Sequence, residues 1–283
     1  MIRIVSDSSS LYSKSEGIEN GIIIAPLAVT INGHTYKEYE DIKTKEFVDI
    51  INEGHIPSSS QPSIGEVLEI YDQYKDDEII NISMADGLSG TYNSACIAKG
   101  MAANPERIEV INSKTLCGPH RYLVNLAVEL VKEGKTKQEI VDNINNALED
   151  TKSYLIPHDF DFLVRGGRVS ALVGKIGSAI KLVPVMTLSE DKQSLVKFAT
   201  KRTFKKAIKK IVEEMIECGV DSNYKIYITH AYKEDLAEEA KNIILNDIEN
   251  ADIDINLLSP VFTTQGGPGC VAIQYIRKHE LLK

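Results

Sequence analysis

Short apolar, β-branched runs alternate along this chain with longer amphipathic ones, and that alternation restricts the fold more than any other feature. Residues 2–5, 22–29, 78–83, 108–112, 153–156, 225–229 and 253–258 read as strands. Helical spacing predicts helices near 45–52, 91–101, 122–133, 204–217, 233–246 and 270–278. Two more helices open on capping boxes: Ser63 with Glu66, running to about Tyr74, and Thr136 with Glu139, running to about Leu148. Asn32-Gly33 between β-prone residues signals a type I′ hairpin. The pattern predicts an α/β protein in which each domain has a mostly parallel sheet flanked by helices. At 283 residues two domains are expected, 1–152 and 153–283, with the last helix free to pack back on the first.

Charge is unevenly spread. Residues 157–210 hold twelve Lys/Arg and four Asp/Glu, a net of +8, so the remainder of a chain of net charge −9 carries −17. Residues 197–210 include seven basic residues and no acid. Phe204, Ala207, Ile208 and Ile211 keep helical spacing there, so the segment reads as a folded amphipathic helix. Its basic face is either simply solvated or a docking surface for an acidic partner. The acidic whole argues against nucleic acid as a partner. Cys96, Cys117, Cys218 and Cys270 form no CxxC pair, which predicts reduced thiols, no metal site and a cytoplasmic location. Asp7 interrupts the N-terminus before a signal-peptide core forms, and no apolar run approaches the roughly 20 residues that span a bilayer.

Three loops share a design suited to an anion. Asp7-Ser8-Ser9-Ser10 follows the first strand, Ser58-Ser59-Ser60-Gln61-Pro62 precedes a capped helix, and Gly87-Leu88-Ser89-Gly90-Thr91 leads from a strand into a helix. Loops at the carboxyl ends of parallel strands converge on one crevice, where helix N-termini offer unpaired N–H groups. No Walker lysine follows the glycines and no GxGxxG opens a helix, so hydroxyl donors without a basic clamp fit a carboxylate better than a triphosphate. Each serine alone could equally be a cap or turn former. Ser89 as a nucleophile remains open too. The motif departs from the GxSxG elbow at Thr91, but a triad could still form with His120, His158 or His230. Further along, Arg165-Gly166-Gly167-Arg168-Val169-Ser170 reads as a tight turn flanked by two guanidinium groups, Thr229-His230-Ala231 ends a predicted strand, and Thr263-Thr264-Gln265-Gly266-Gly267-Pro268-Gly269 precedes the last helix and could place backbone close to a ligand.

In this order the segments resemble the DegV family of bacterial lipid-binding proteins. Ser6-Asp7-Ser8-Ser9 is similar to its SDSS signature, Ser59-Ser60-Gln61-Pro62-Ser63 to TSQPS, and the nine residues from Gly87 to Ala95 to GLSGTYQSA. Gly166 to Ser170, His230-Ala231 and Gly267-Pro268-Gly269 match its later GGR[IV]S, HA and GPG elements. The resemblance covers nearly the whole chain. It implies two α/β domains with a long-chain fatty acid between them, no cofactor and no catalytic residue. It further implies carboxylate contacts from Ser59, Ser60, Ser89 and Thr91, with Gln265 standing where the family commonly has His. Ser8, Gly87, Gly167, Arg168, His230 and Gly267 would line the pocket or shape its loops. The family includes binding subunits of a fatty acid kinase, which implies a kinase partner docked on Lys201, Arg202, Lys205 and Lys206. The departures at Gln265, Val183-Pro184 and Asn112-Ser113 suggest a divergent branch, with another carboxylate or lipid as the alternative ligand and an acyl-processing enzyme using Ser89 as the alternative function.

Overall fold

A computed structural model describes residues 1–169 and 182–283. The chain divides into two units, Met1–Glu149 with Ser259–Val261 and His279–Lys283, and Asp150–Leu258 with Phe262–Lys278.

In the first unit the chain runs β1 (Ile2–Asp7), α1 (Lys14–Glu19), β2 (Ile22–Ala25), β3 (Ala28–Ile31), β4 (His34–Lys37), α2 (Thr44–Asn52), β5 (Ser58–Ser60), α3 (Ile64–Gln73), β6 (Glu78–Ser83), α4 (Thr91–Met101), β7 (Ile108–Asn112), α5 (Cys117–Lys132) and α6 (Lys137–Leu148). Its main sheet, in the order β2-β1-β6-β7, is parallel throughout, as the alternation predicts. Val5, Ile79, Ile108 and Val110 point to one face and bury Val67 and Tyr71 of α3 with Ala95 and Ala98 of α4. Alternate residues such as Ile80 and Ile82 point the other way, and both are fully buried.

The expected strand 22–29 is in fact two. Pro26 has no N–H to give a ladder, so β2 stops at Ala25 and β3 starts a separate antiparallel sheet, β4-β3-β5. Asn32 (φ 51°) and Gly33 (φ 76°) form the predicted hairpin. Both predicted capping boxes are present. A third, Ser13 with Glu16, opens α1; the same S-x-x-E signal stood unread in the sequence.

The second unit contains β8 (Thr151–Ile156), α7 (Phe160–Gly166), β9 (Val183–Leu188), β10 (Leu195–Lys201), α8 (Phe204–Glu217), β11 (Tyr224–His230), α9 (Glu234–Asp247), β12 (Asp252–Leu257), the larger part of α10 (Pro260–Gly266) and β13 (Val271–Arg277). Here two expectations fail. The sheet, ordered β10-β9-β8-β13-β11-β12, is parallel only between β11 and β12, because β13 inserts antiparallel between β8 and β11 and β9 is antiparallel to both its neighbours. And the segment expected as a final helix, 270–278, is β13 itself. Val271 to Ile276 are buried on both faces, and such a central strand shows no period-2 signal to separate it from a buried helix. Tyr154, Ile226, Ile228, Val271 and Ile273 pack beneath α8 and α9. On α8, Ala207, Ile208, Ile211, Val212 and Met215 are buried, while Lys205, Lys206 and Lys209 are exposed, so the amphipathic reading holds. No helix among the described residues is long and apolar enough to cross a membrane.

Candidate anion site

In the first unit, strand order reverses between β1 and β6, and the loops that leave their carboxyl ends flank the crevice where open α/β sheets bind ligands. Asp7 joins the two loops. Its carboxylate accepts Ser9 N–H at 3.0 Å on its own loop and Met84 N–H at 3.0 Å on the other, and it is buried. Carboxylates that accept backbone N–H groups make strong, charge-assisted bonds. His120, at the start of α5, is fully buried beneath the same loops: Nδ1 lies 2.7 Å from Ser9 Oγ, and Nε2 lies 3.0 Å from the Ile82 carbonyl and 3.2 Å from Ser6 Oγ. A neutral ring with its proton on Nε2 satisfies these contacts, and burial pushes the pKa down accordingly. His120 is therefore a fixed strut rather than a proton shuttle for Ser89.

Ser8 is likewise committed to the scaffold. Its hydroxyl accepts Leu27 N–H at 2.9 Å and donates to Glu38 at 2.5 Å. Glu38, which follows β4, is fully buried; it also accepts Val261 N–H at 3.0 Å and a hydrogen bond from Ser259. Burial pushes its carboxyl up to about 7, and these hydrogen bonds and the nearby Asp7 charge act less strongly.

The second and third hydroxyl loops meet each other. Ser89 Oγ lies 2.8 Å from Thr91 Oγ1 and accepts Thr91 N–H at 3.3 Å. Gly90 is the N-cap of α4 and provides no side-chain cap, so apart from the Thr91 N–H that Ser89 accepts, the positive end of an 11-residue helix lies open beside two hydroxyls. Gln61, which follows β5, lies over Gly90: a Cβ there would sit 2.8 Å from Nε2 and 3.1 Å from Cδ of the glutamine. In β5, Ser59 pairs with Val29 and is half-buried, whereas Ser60 pairs with Ala28 and is exposed. Gly87 is half-buried in the loop before Ser89. Neutral donors at a helix N-terminus can accept a carboxylate without a basic residue.

In the second unit the later motifs pack on one another. Gln265 Oε1 lies so close to Gly166 that any Cβ there would overlap it. Gly167, left-handed at φ 71°, ends α7, and Arg168 donates to the Gly166 carbonyl. Gly267 (φ 78°) turns against Phe162, and Gly269 (φ 85°) turns against His158. Gly269 N–H donates to the Ala231 carbonyl at 2.8 Å, and Ala231 N–H donates to the Cys270 carbonyl at 3.0 Å, lacing the His230-Ala231 segment to the last turn. His230 itself is buried, accepts Lys233 N–H on Nδ1 at 3.0 Å, and has its pKa lowered by that burial. Ser170 lies outside the described residues.

A family model described as "Uncharacterised protein, DegV family" matches residues 1–278. The chain belongs to the DegV family. A DegV domain-containing protein of Staphylococcus aureus is 34% identical over 97% of this chain and 98% of its own length. One of Halalkalibacterium halodurans is 31% identical over 98% and 99%. Among solved structures, "DegV, a fatty acid binding protein from Bacillus subtilis" superposes with a TM-score of 0.85 at 28% identity, covering 98% of this chain and 99% of that one. A DegV lipid binding protein of Thermotoga maritima also superposes at 0.85, with 27% identity and the same coverage. These relatives place the DegV fold on the whole chain.

Within this DegV protein, Ser89 and Thr91 lie together as the motif spacing suggests. Sequence reasoning missed Glu38 and the packing of Gln61 on Gly90. Glu38 sits among Lys37, Tyr39, Glu40 and Asp41, a stretch that reads as a solvated turn. For Gln61 there was no local signal, since glycine is itself a common N-cap and the contact joins segments 29 residues apart.

Proposed function

We propose that this DegV protein binds a long-chain fatty acid, holds its carboxylate with the hydroxyls of Ser59, Ser60, Ser89 and Thr91, and presents it to a kinase that forms the acyl phosphate. The observation that carries the reading is the Ser89–Thr91 hydroxyl pair at the N-terminus of α4, in a chain whose solved relatives of 27–28% identity are described as fatty-acid- and lipid-binding. Each CH₂ of an acyl chain removed from water contributes about 0.8 kcal/mol, so the chain supplies the affinity and the hydroxyls offset the cost of burying the head group. In the kinase step a carboxylate oxygen attacks the γ-phosphorus of ATP, the bond to ADP breaks, and the partner enzyme holds the nucleotide. That Ser89 pairs with Thr91, while His120 is bound to Ser6, Ser9 and Ile82, favours a carrier over a hydrolase. Four free cysteines support a reducing, cytoplasmic setting.

Native mass spectrometry of purified protein, followed by lipid extraction, tests the ligand. A fatty-acid adduct released on denaturation is expected. The double variant Ser89→Ala, Thr91→Val should retain at least about tenfold less, since each hydrogen bond to a charged group is worth about 1.5–3 kcal/mol. Undiminished occupancy in the variant would remove these hydroxyls from the head-group site. Docking on the basic segment is tested separately. Arg202, Lys205 and Lys206 are exposed, and Lys201 partly so; Lys205→Glu with Lys206→Glu should abolish capture of an acidic kinase while leaving lipid content intact. Capture that survives the reversal places the docking surface elsewhere.

A further inference from the structure

Gly90 has φ −74°, a conformation any residue adopts, and as an N-cap it gives away the side-chain hydrogen bond that Ser, Thr, Asp or Asn would supply. Backbone freedom does not explain it. The amide of Gln61 does, because all three of its amide heavy atoms lie between 2.8 and 3.4 Å from where a Cβ would stand. Gln61 is itself held on both sides. Ser60 before it is paired with Ala28 in the β3–β5 ladder. Pro62 after it is buried and restricts residue 61 to extended backbone. Ser63 then caps α3 through a full capping box. The second unit repeats the arrangement with Gln265 on Gly166, another glycine with no positive φ.

We propose that Gln61 is a positioning residue: its amide, seated on Gly90, sets the spacing between the Ser59-Ser60 strand and the Ser89–Thr91 helix start, so that the two hydroxyl loops grip one carboxylate together. This rests on the fatty-acid reading and adds the device that aligns its head-group contacts. The fit is steric, so shortening residue 61 leaves the loops free to drift, and adding a methyl at residue 90 displaces the Gln61 amide from its seat with the same result.

The test compares retention of hexadecanoic acid with that of hexadecanol on delipidated full-length protein, by native mass spectrometry. The acid-to-alcohol ratio reports the head-group contacts alone, and a loss of general stability does not move it. Wild type should prefer the acid. Gln61→Ala should lower the ratio about tenfold, the worth of one hydrogen bond to a charged group, with little change in Tm because the residue is exposed. Gly90→Ala should lower it to a similar extent, and Gly90→Ala in the Gln61→Ala background should lower it no further. Gly65→Ala, where a Cβ meets nothing within 4 Å, is the control. An unchanged ratio in Gln61→Ala, or losses at 61 and 90 that multiply, would overturn the proposal. A wild type that retains both ligands equally, or neither, would instead overturn the fatty-acid reading beneath it.

Discussion

Asp7→Ala is expected to destabilise the first unit by about 4 kcal/mol, because it strips the acceptor from two buried N–H groups at once, and each unsatisfied buried donor costs about 1–3 kcal/mol. Those donors are Ser9 on the loop after β1 and Met84 on the loop after β6, so the loss falls where strand order reverses. Asp7→Asn should recover only part of it, since one amide oxygen replaces one acceptor while its NH₂ faces the other N–H. Urea unfolding gives the magnitude, and amide hydrogen exchange at Ser9 and Met84 gives the location. A loss below about 1 kcal/mol, the range of an ordinary surface change, would show that the two loops hold without the carboxylate.

Glu38 is expected to make stability fall as pH rises. Its carboxyl, ordinarily near 4.5, is held at about 7 by burial. Between those values the folded state keeps a proton that the unfolded state has released. The unfolded state therefore binds fewer protons, and the slope of stability against pH is negative. Across the window the difference is about 3 kcal/mol, present in full at and below the unfolded value and lost by the time pH has passed the folded one. Glu38→Gln has no proton to lose and should erase that slope. Since other groups titrate in the same range, the quantity to measure is the wild-type curve minus the variant curve, from urea midpoints at pH 4.5, 6 and 7.5. A flat difference curve would mean that Ser8, Ser259 and Val261 stabilise the carboxylate as well as water does.

What was legible in the sequence was local. The Ser63 and Thr136 capping boxes, the Asn32-Gly33 hairpin, β6, β7, α4 and α8 all rest on residues within a few positions of one another. What was not legible depends on distant partners. β5 is three serines with poor strand propensity, and it is a strand because β3 offers it a ladder. β13 is a strand because β8 and β11 flank it. The site divides in the same way. The Ser89–Thr91 pair is two residues apart and readable, while the Gln61–Gly90 fit and the Glu38 network join segments that only the fold brings together. His120, weighed in the sequence as a candidate base for Ser89, becomes a strut only when Ser6, Ser9 and Ile82 are seen around it.

The first unit is not continuous in the chain: Ser259–Val261 and His279–Lys283 belong to it, although the intervening residues build the second. Two of its bonds, Val261 N–H to Glu38 and His279 N–H to the Tyr122 hydroxyl, close across 223 and 157 residues. During synthesis from the N-terminus, Glu38 leaves the ribosome more than two hundred residues ahead of its last partner. The Glu38 carboxyl thus has Ser8 beside it from the start but waits for Val261 until nearly the entire polypeptide is made, and the second unit waits for β13, the strand between β8 and β11. A nascent chain stalled before Ser259 would hold an N-terminal unit that lacks its Val261 and His279 bonds, although the hydroxyl loops, bonded within residues 1–149, would already be in place.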